Sequence, residues 1–175
     1  MGAAGGLYWD WGSNTMRFDD VVRHLGTDLY RYAFWLARDR QQAEDIVQEA
    51  LLRGWRAYPR LRSRAAVKSW LFSIVRNEYL RAMETSSRQP QSLDGLDPAD
   101  ERGVDPGVEM REALMALPAS YAEPLALQVL GGFSCAEIAA MVGTTEGATM
   151  TRLTRARQAL RRLIEPVKAL RGGRS

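Results

Sequence analysis

The chain has 175 residues, 46% of them hydrophobic, with a formal net charge of +3, enough for one core or two small ones and only mildly basic. A lone cysteine, Cys135, excludes an internal disulfide, and a lone histidine, His24, without a ligand-spaced companion argues against a metal site. No apolar run reaches the ~18 residues of a membrane-spanning helix.

Residues 1–16, MGAAGGLYWDWGSNTM, contain no Lys or Arg and no apolar core segment, so they do not read as a secretory signal. They read as a disordered extension, with Met16 as an alternative start, and docking of Tyr8, Trp9 and Trp11 onto a partner is the less favoured reading. The expected compartment is the cytoplasm.

Residues 17–86 read as helical throughout. Phe18, Val21, Val22, Leu25, Leu29, Tyr32 and Leu36 recur every three or four residues, and Ala43, Ile46, Val47, Ala50 and Gly54 repeat the pattern in a second helix that ends before Pro59. Val67, Trp70, Leu71, Ile74 and Val75 begin a third, running to about Ser86. Three amphipathic stretches with short connections predict a three-to-four-helix bundle. On the second helix, Asp45, Gln48, Glu49 and Leu52 follow i, i+3, i+4, i+7 and share a face beside the core stripe. The connection Pro59–Lys68 carries Arg60, Arg62, Arg64 and Lys68 with no acid. Such a cationic wall suits a nucleic-acid backbone. Trp70 could stack on a base, but its place on the apolar stripe favours the core.

Residues 87–107 have no period. Three prolines, three glycines and five acids mark a flexible acidic linker. The fold expected is therefore all-α, with two small helical domains joined by that linker. The second domain is placed at 108–166, with a first helix from about Val108 to Leu117, interrupted by Pro118. Ser120 with Glu123 offers a capping box for the next helix, which carries Pro124 near its start and reaches Leu130.

Phe133–Leu163 is the most informative stretch. Ser134 and Glu137 form a second capping box, Gly143 supplies a helix end, and Thr144 or Thr145 caps another helix. That is a helix-turn-helix, whose second helix is normally presented to the DNA major groove. At ~100° per residue, Leu153, Ala156, Leu160 and Leu163 form its core stripe. Thr151, Arg155, Gln158 and Arg162 project oppositely. These side-chain types suit phosphates and base edges. Arg157 falls close to Leu153 on the wheel and is expected to serve structure. Residues 145–175 hold eight basic side chains against two acids, and 167–175 read as a basic tail. Cys135 reads as a small packing residue.

The segments AEDIVQEALLRGWR (Ala43–Arg56), WLFSIVRNEYLR (Trp70–Arg81) and ALMALPASYAEPLALQVLGGFSCAEIA (Ala113–Ala139) with EGATMTRLTRARQALRRL, taken in this order, resemble the extracytoplasmic-function (ECF) sigma factors of bacterial RNA polymerase. The resemblance spans about Phe18 to Leu163. It implies that residues 17–86 are sigma region 2 and residues 108–166 sigma region 4. It implies that Asp45, Gln48, Glu49 and Leu52 dock on core polymerase. It implies that Arg62, Arg64 and Lys68 supply charge, and Asn77 a base contact, in capturing unstacked bases of the −10 element, and that Thr151, Arg152, Arg155, Gln158 and Arg162 serve the −35 element. It further implies promoter-specific initiation, restrained until a stress signal by an anti-sigma factor, with the chain sequestered at the inner membrane if that factor is membrane-bound. One departure stands out, since Met150 occupies a position that is commonly basic in the family.

No phosphate-cradling glycine loop, metal-spaced cluster or nucleophile–base pair appears, so no enzyme, cofactor, metal or small-molecule substrate is expected. Two other readings begin from the same residues: a sigma-like mimic that binds an anti-sigma factor but not DNA, and a dimeric helix-turn-helix transcription factor. The linker reads equally as a plain tether and as an acidic strand that mimics nucleic acid inside the polymerase.

Overall fold

Short polar breaks divide the chain into helices, and the computed structural model describes them over residues 17–86 and 116–172. The expected extension, the linker, the helix start near Val108 and the last residues of the tail lie outside the described residues, as does the side chain of Leu163. The chain divides into two units between residues 91 and 92. No strand occurs among the described residues.

The first unit begins with α1 (Phe18–Ala37), where the backbone N–H of Arg17 donates to Asp20 at 3.3 Å and two aspartates face the positive helix end. Helix α1 stops at Arg38, whose φ of 56° is left-handed and whose N–H donates to the Phe34 carbonyl. No glycine marks this break in the sequence. Asp39 at once caps α2 (Arg40–Ala57), accepting from the Gln42 N–H at 2.7 Å. Pro59 cannot continue α2, and the chain tightens into a 3₁₀ turn at Tyr58–Arg60, then another at Arg64–Ala66, before α3 (Val67–Ser86).

The core of this unit joins Val21, Leu25, Leu29 and Tyr32 from α1 to Ala43, Ile46 and Ala50 from α2 and Leu71, Phe72 and Val75 from α3. Tyr32 and Phe72 pack with ring centroids 5.3 Å apart. Apart from Ile46, the inner face of α2 is built from the small residues Ala43, Ala50 and Gly54, which lets its neighbours approach closely. At Gly54 an added Cβ would sit 2.9 Å from Leu71 Cδ2 and 3.1 Å from Phe18 Cζ.

The second unit holds α4 (Ala119–Gly131), α5 (Cys135–Val142) and α6 (Glu146–Gly172). Helix α4 does not start at Ser120 as its capping pattern suggests. Pro118 is the boundary residue, and its carbonyl accepts from the N–H groups of Tyr121 (2.9 Å) and Ala122 (3.0 Å). Proline is preset to an extended approach and so places the cap two residues earlier, leaving Ser120 exposed in the first turn. Pro124 lies inside α4, buried, and leaves the Ser120 carbonyl without its usual helical donor. Gly132 ends α4 at φ 65°. Leu125, Leu127, Phe133, Ile138, Leu153 and Ala156 form the core.

Candidate functional site

The helix-turn-helix is assembled by its caps. The Ser134 hydroxyl accepts from the Glu137 N–H at 3.3 Å, and Glu137 accepts from the Ser134 N–H at 2.8 Å, so the capping box expected from sequence is formed. Gly143, at φ 71°, ends α5, and Thr145 caps α6 by accepting from the Ala148 N–H at 3.2 Å. Of the two threonines proposed from sequence, Thr145 is the cap.

On α6, Leu153 and Ala156 are buried while Thr151, Arg155, Gln158 and Arg162 are exposed, and Arg152 is half-buried at the edge of that surface. The Thr151 hydroxyl donates to the Gly147 carbonyl at 3.0 Å, leaving its oxygen lone pairs outward as acceptors. Arg157 instead donates to Gln128 on α4 and ties the two helices together. Met150 is 54% exposed, about 100° from Thr151 and about 60° from Leu153 around the helix, so an exposed thioether stands between the outward row and the apolar stripe. The result is a helix with an apolar inner stripe, a positive N-terminal dipole end and an outer row of hydrogen-bonding and cationic groups, suited to a DNA groove.

In the first unit, the outer face of α2 presents Asp45, Gln48 and Leu52, with Glu49 half-buried beside them. Asp45 accepts from Gln41 at 3.2 Å, and Glu49 accepts from Arg53 at 3.0 Å. Sequence reading missed Trp55, which is 62% exposed and continues this face. Its signal was legible: it lies seven residues beyond Gln48, within ~20° on the wheel. Leu52 and Trp55, with Phe18, Val22 and Leu51, border an open apolar groove of about 580 Å³ between α1 and α2.

The cationic connection splits into two roles. Arg62 is exposed. Arg64 turns back, donating to the Tyr58 carbonyl at 2.8 Å and lying 3.8 Å above the Tyr58 ring. Lys68 is half-buried at the start of α3, while Asn77 is exposed nine residues later, on the opposite side of the helix at ~100° per residue. These four residues therefore do not form one face. Trp70 is half-buried.

Among the described residues, no three His, Cys, Asp or Glu side chains gather where a metal ion could be held, and no helix is long and apolar enough to cross a membrane. Separate helical units, one a capped helix-turn-helix and the other bearing an amphipathic outer face and a basic connection, define a two-domain DNA-binding protein. Residues 21–89 match Sigma-70 region 2, and residues 107–160 match Sigma-70, region 4. The ECF RNA polymerase sigma factor SigM of Mycobacterium tuberculosis is 33% identical over 150 residues, covering 84% of this chain and 76% of its own. SigC of the same species is 31% identical over 160 residues, covering 87% and 86%. Among solved structures, the sigma factor RpoE of Bartonella quintana, crystallised with the anti-sigma factor NepR, superposes with a TM-score of 0.71 at 29% identity over 85% of this chain and 96% of that one.

The chain belongs to the ECF sigma factors of RNA polymerase. It acts in promoter-specific transcription initiation.

Proposed function

We propose that Asp45, Gln48, Glu49 and Leu52 on α2 dock on core RNA polymerase, with Trp55 extending that contact. The mixed acid, amide and apolar surface supports this reading, since exposed leucine and tryptophan provide buried contact area and rim charges set encounter rate. Arg62 and Asn77 meet the melted −10 strand. Arg64 and Lys68 act with them, Arg64 chiefly by holding the connection against Tyr58. Extruding a base costs a few kcal/mol, which contacts to the freed base must return. On α6, Thr151, Arg152, Arg155, Gln158 and Arg162 read or grip the −35 element.

The observation that carries this reading is the outward row Thr151, Arg155, Gln158 and Arg162 on a helix whose opposite side is buried. Chemistry belongs to the polymerase, and the chain itself is not an enzyme, binds no cofactor and takes no small-molecule substrate. It works in the cytoplasm. Since the similar RpoE was crystallised with an anti-sigma factor, we assign this chain restraint by an anti-sigma factor, and we further propose that this factor is membrane-associated and releases the chain on a stress signal.

Transcription reconstituted from the purified chain and core polymerase tests the proposal. Initiation at defined start sites, lost when either set of DNA contacts is replaced by alanine, is expected. Initiation without promoter preference would overturn it. Binding to an anti-sigma factor without any initiation would instead favour the mimic.

A further inference from the structure

The open groove between α1 and α2 is walled by Phe18 and Val22 on one side and by Leu51, Leu52 and Trp55 on the other. Its volume of about 580 Å³ lies in the range of sites that enclose bulky apolar groups. Leu52 and Trp55 are 50% and 62% exposed, so an apolar occupant would remove their surface from water. Phe18 and Asp19 open α1 and also border the groove. The chain that precedes Arg17 therefore joins the bundle at the groove's own edge.

That preceding chain contains Leu7-Tyr8-Trp9-Asp10-Trp11, four large apolar or aromatic residues and one acid, with no cation. Between Trp11 and Phe18 stand Gly12-Ser13-Asn14-Thr15-Met16-Arg17. Fully extended, those six residues reach ~20 Å, whereas the α1 wall from Phe18 to Arg23 is ~7.5 Å long. Gly12, Ser13 and Asn14 are residue types that reverse a chain easily. Arg23, the cation on the rim beside Asp19, is paired with Asp20 at 3.0 Å yet 74% exposed, and it has the sign to meet Asp10 as well. A tether this short gives an effective concentration in the millimolar range, which favours this chain's own segment over one from a second copy.

We propose that Leu7–Trp11 docks in the α1–α2 groove of its own chain and, by covering Leu52, Trp55 and the adjacent Gln48, competes with core polymerase. The competition rests on the polymerase-docking role given above to α2. The docking itself does not.

Methyl spectra of the full chain test the docking, because indole ring currents displace nearby methyl resonances. Compared with a chain lacking residues 2–16 and with a Trp9→Ala/Trp11→Ala variant, the intact chain is expected to show shifted Val22, Leu51 and Leu52 methyls that revert in both. Unchanged methyl positions overturn the proposal. Shifts that disappear on dilution also overturn it, and assign the groove to a second copy. Binding to core polymerase tests the competition. If the docked form holds nine-tenths of the population, both variants bind about tenfold more tightly. Equal or weaker binding overturns the competition, weaker binding making the segment part of the polymerase contact. If no version binds polymerase, the reading of α2 fails, and the methyl shifts still decide the docking.

Discussion

Arg53 on α2 forms an ion pair with Glu78 on α3, Nε lying 2.8 Å from Oε1, and the Glu78 side chain is only 7% exposed. The same Arg53 nitrogen lies 3.0 Å from Glu49, and Arg81 approaches Glu78 from its own helix at 2.8 Å. One arginine thus links an acid of the proposed docking face to a buried acid beneath it. Glu78→Ala should lower the stability of the first unit by about 1.5–3 kcal/mol, the usual range for a hydrogen bond to a charged group. Native-state hydrogen exchange of α2 and α3 amides measures this. The cost should not be larger, because Arg53 and Arg81 are both substantially exposed and regain water.

Two glycines should respond to alanine with opposite sign. At Gly54 the new methyl would meet Leu71 at 2.9 Å and Phe18 at 3.1 Å, so overpacking of ~1–3 kcal/mol outweighs the gain in helix propensity. At Gly26, in the middle of α1, nothing lies within 4 Å of the added Cβ. Gly26→Ala should therefore stabilise by about 0.5–1 kcal/mol. Urea unfolding of the two variants checks both signs.

On α6, Arg155→Ala should weaken −35 binding by ~1–3 kcal/mol if Arg155 reads a base, with the loss depending on the −35 sequence. A uniform loss across variant −35 sequences would make it a phosphate contact. Arg157→Ala should instead cost about 0.5–1.5 kcal/mol of stability, through loss of its bond to Gln128, and leave DNA affinity nearly unchanged. Fluorescence anisotropy with −35 duplexes, paired with denaturant curves, separates the two arginines.

Arg62 and Arg64 should also part company. Arg62→Ala should reduce the salt slope of −10 strand binding by about 1. Arg64→Ala should loosen the Tyr58–Ala66 connection, visible as faster hydrogen exchange there. Asn77→Ala should impair promoter opening more than closed-complex binding, read as weaker permanganate reactivity at the −10 region. Reactivity equal to the parent chain would refute a role for Asn77 in capturing bases.

Asp45→Ala combined with Gln48→Ala should abolish co-purification with core polymerase while helicity stays the same, because both side chains are exposed and neither belongs to the core. Retained co-purification would remove α2 as the docking face. Circular dichroism of the double variant provides the folding control.

Much of this molecule was legible locally. The Ser134–Glu137 box, the Gly143 stop and the Thr145 cap are interactions between residues three or four apart, so their spacing declares them. The Leu153 and Ala156 part of the α6 stripe was readable for the same reason. The break at Arg38-Asp39 was harder, because an arginine in the left-handed region leaves no glycine to signal it. The Ser120 box failed because two local signals competed there, and the preset backbone of Pro118 prevailed.

Sequence by itself determined an all-helical chain, the helix-turn-helix with its outward row, and the ECF sigma resemblance. Each of these rests on periodicity, capping or ordered motifs, which are short-range properties. Tertiary packing decided what charge counting could not: Arg64 is held against Tyr58, Arg157 joins α6 to α4, and Arg53 bridges to a buried Glu78. Arginine is long and carries several donors, so its partner depends on which backbone or side chain folding brings within reach. The same holds for the α1–α2 groove, whose apolar walls come from residues some thirty positions apart.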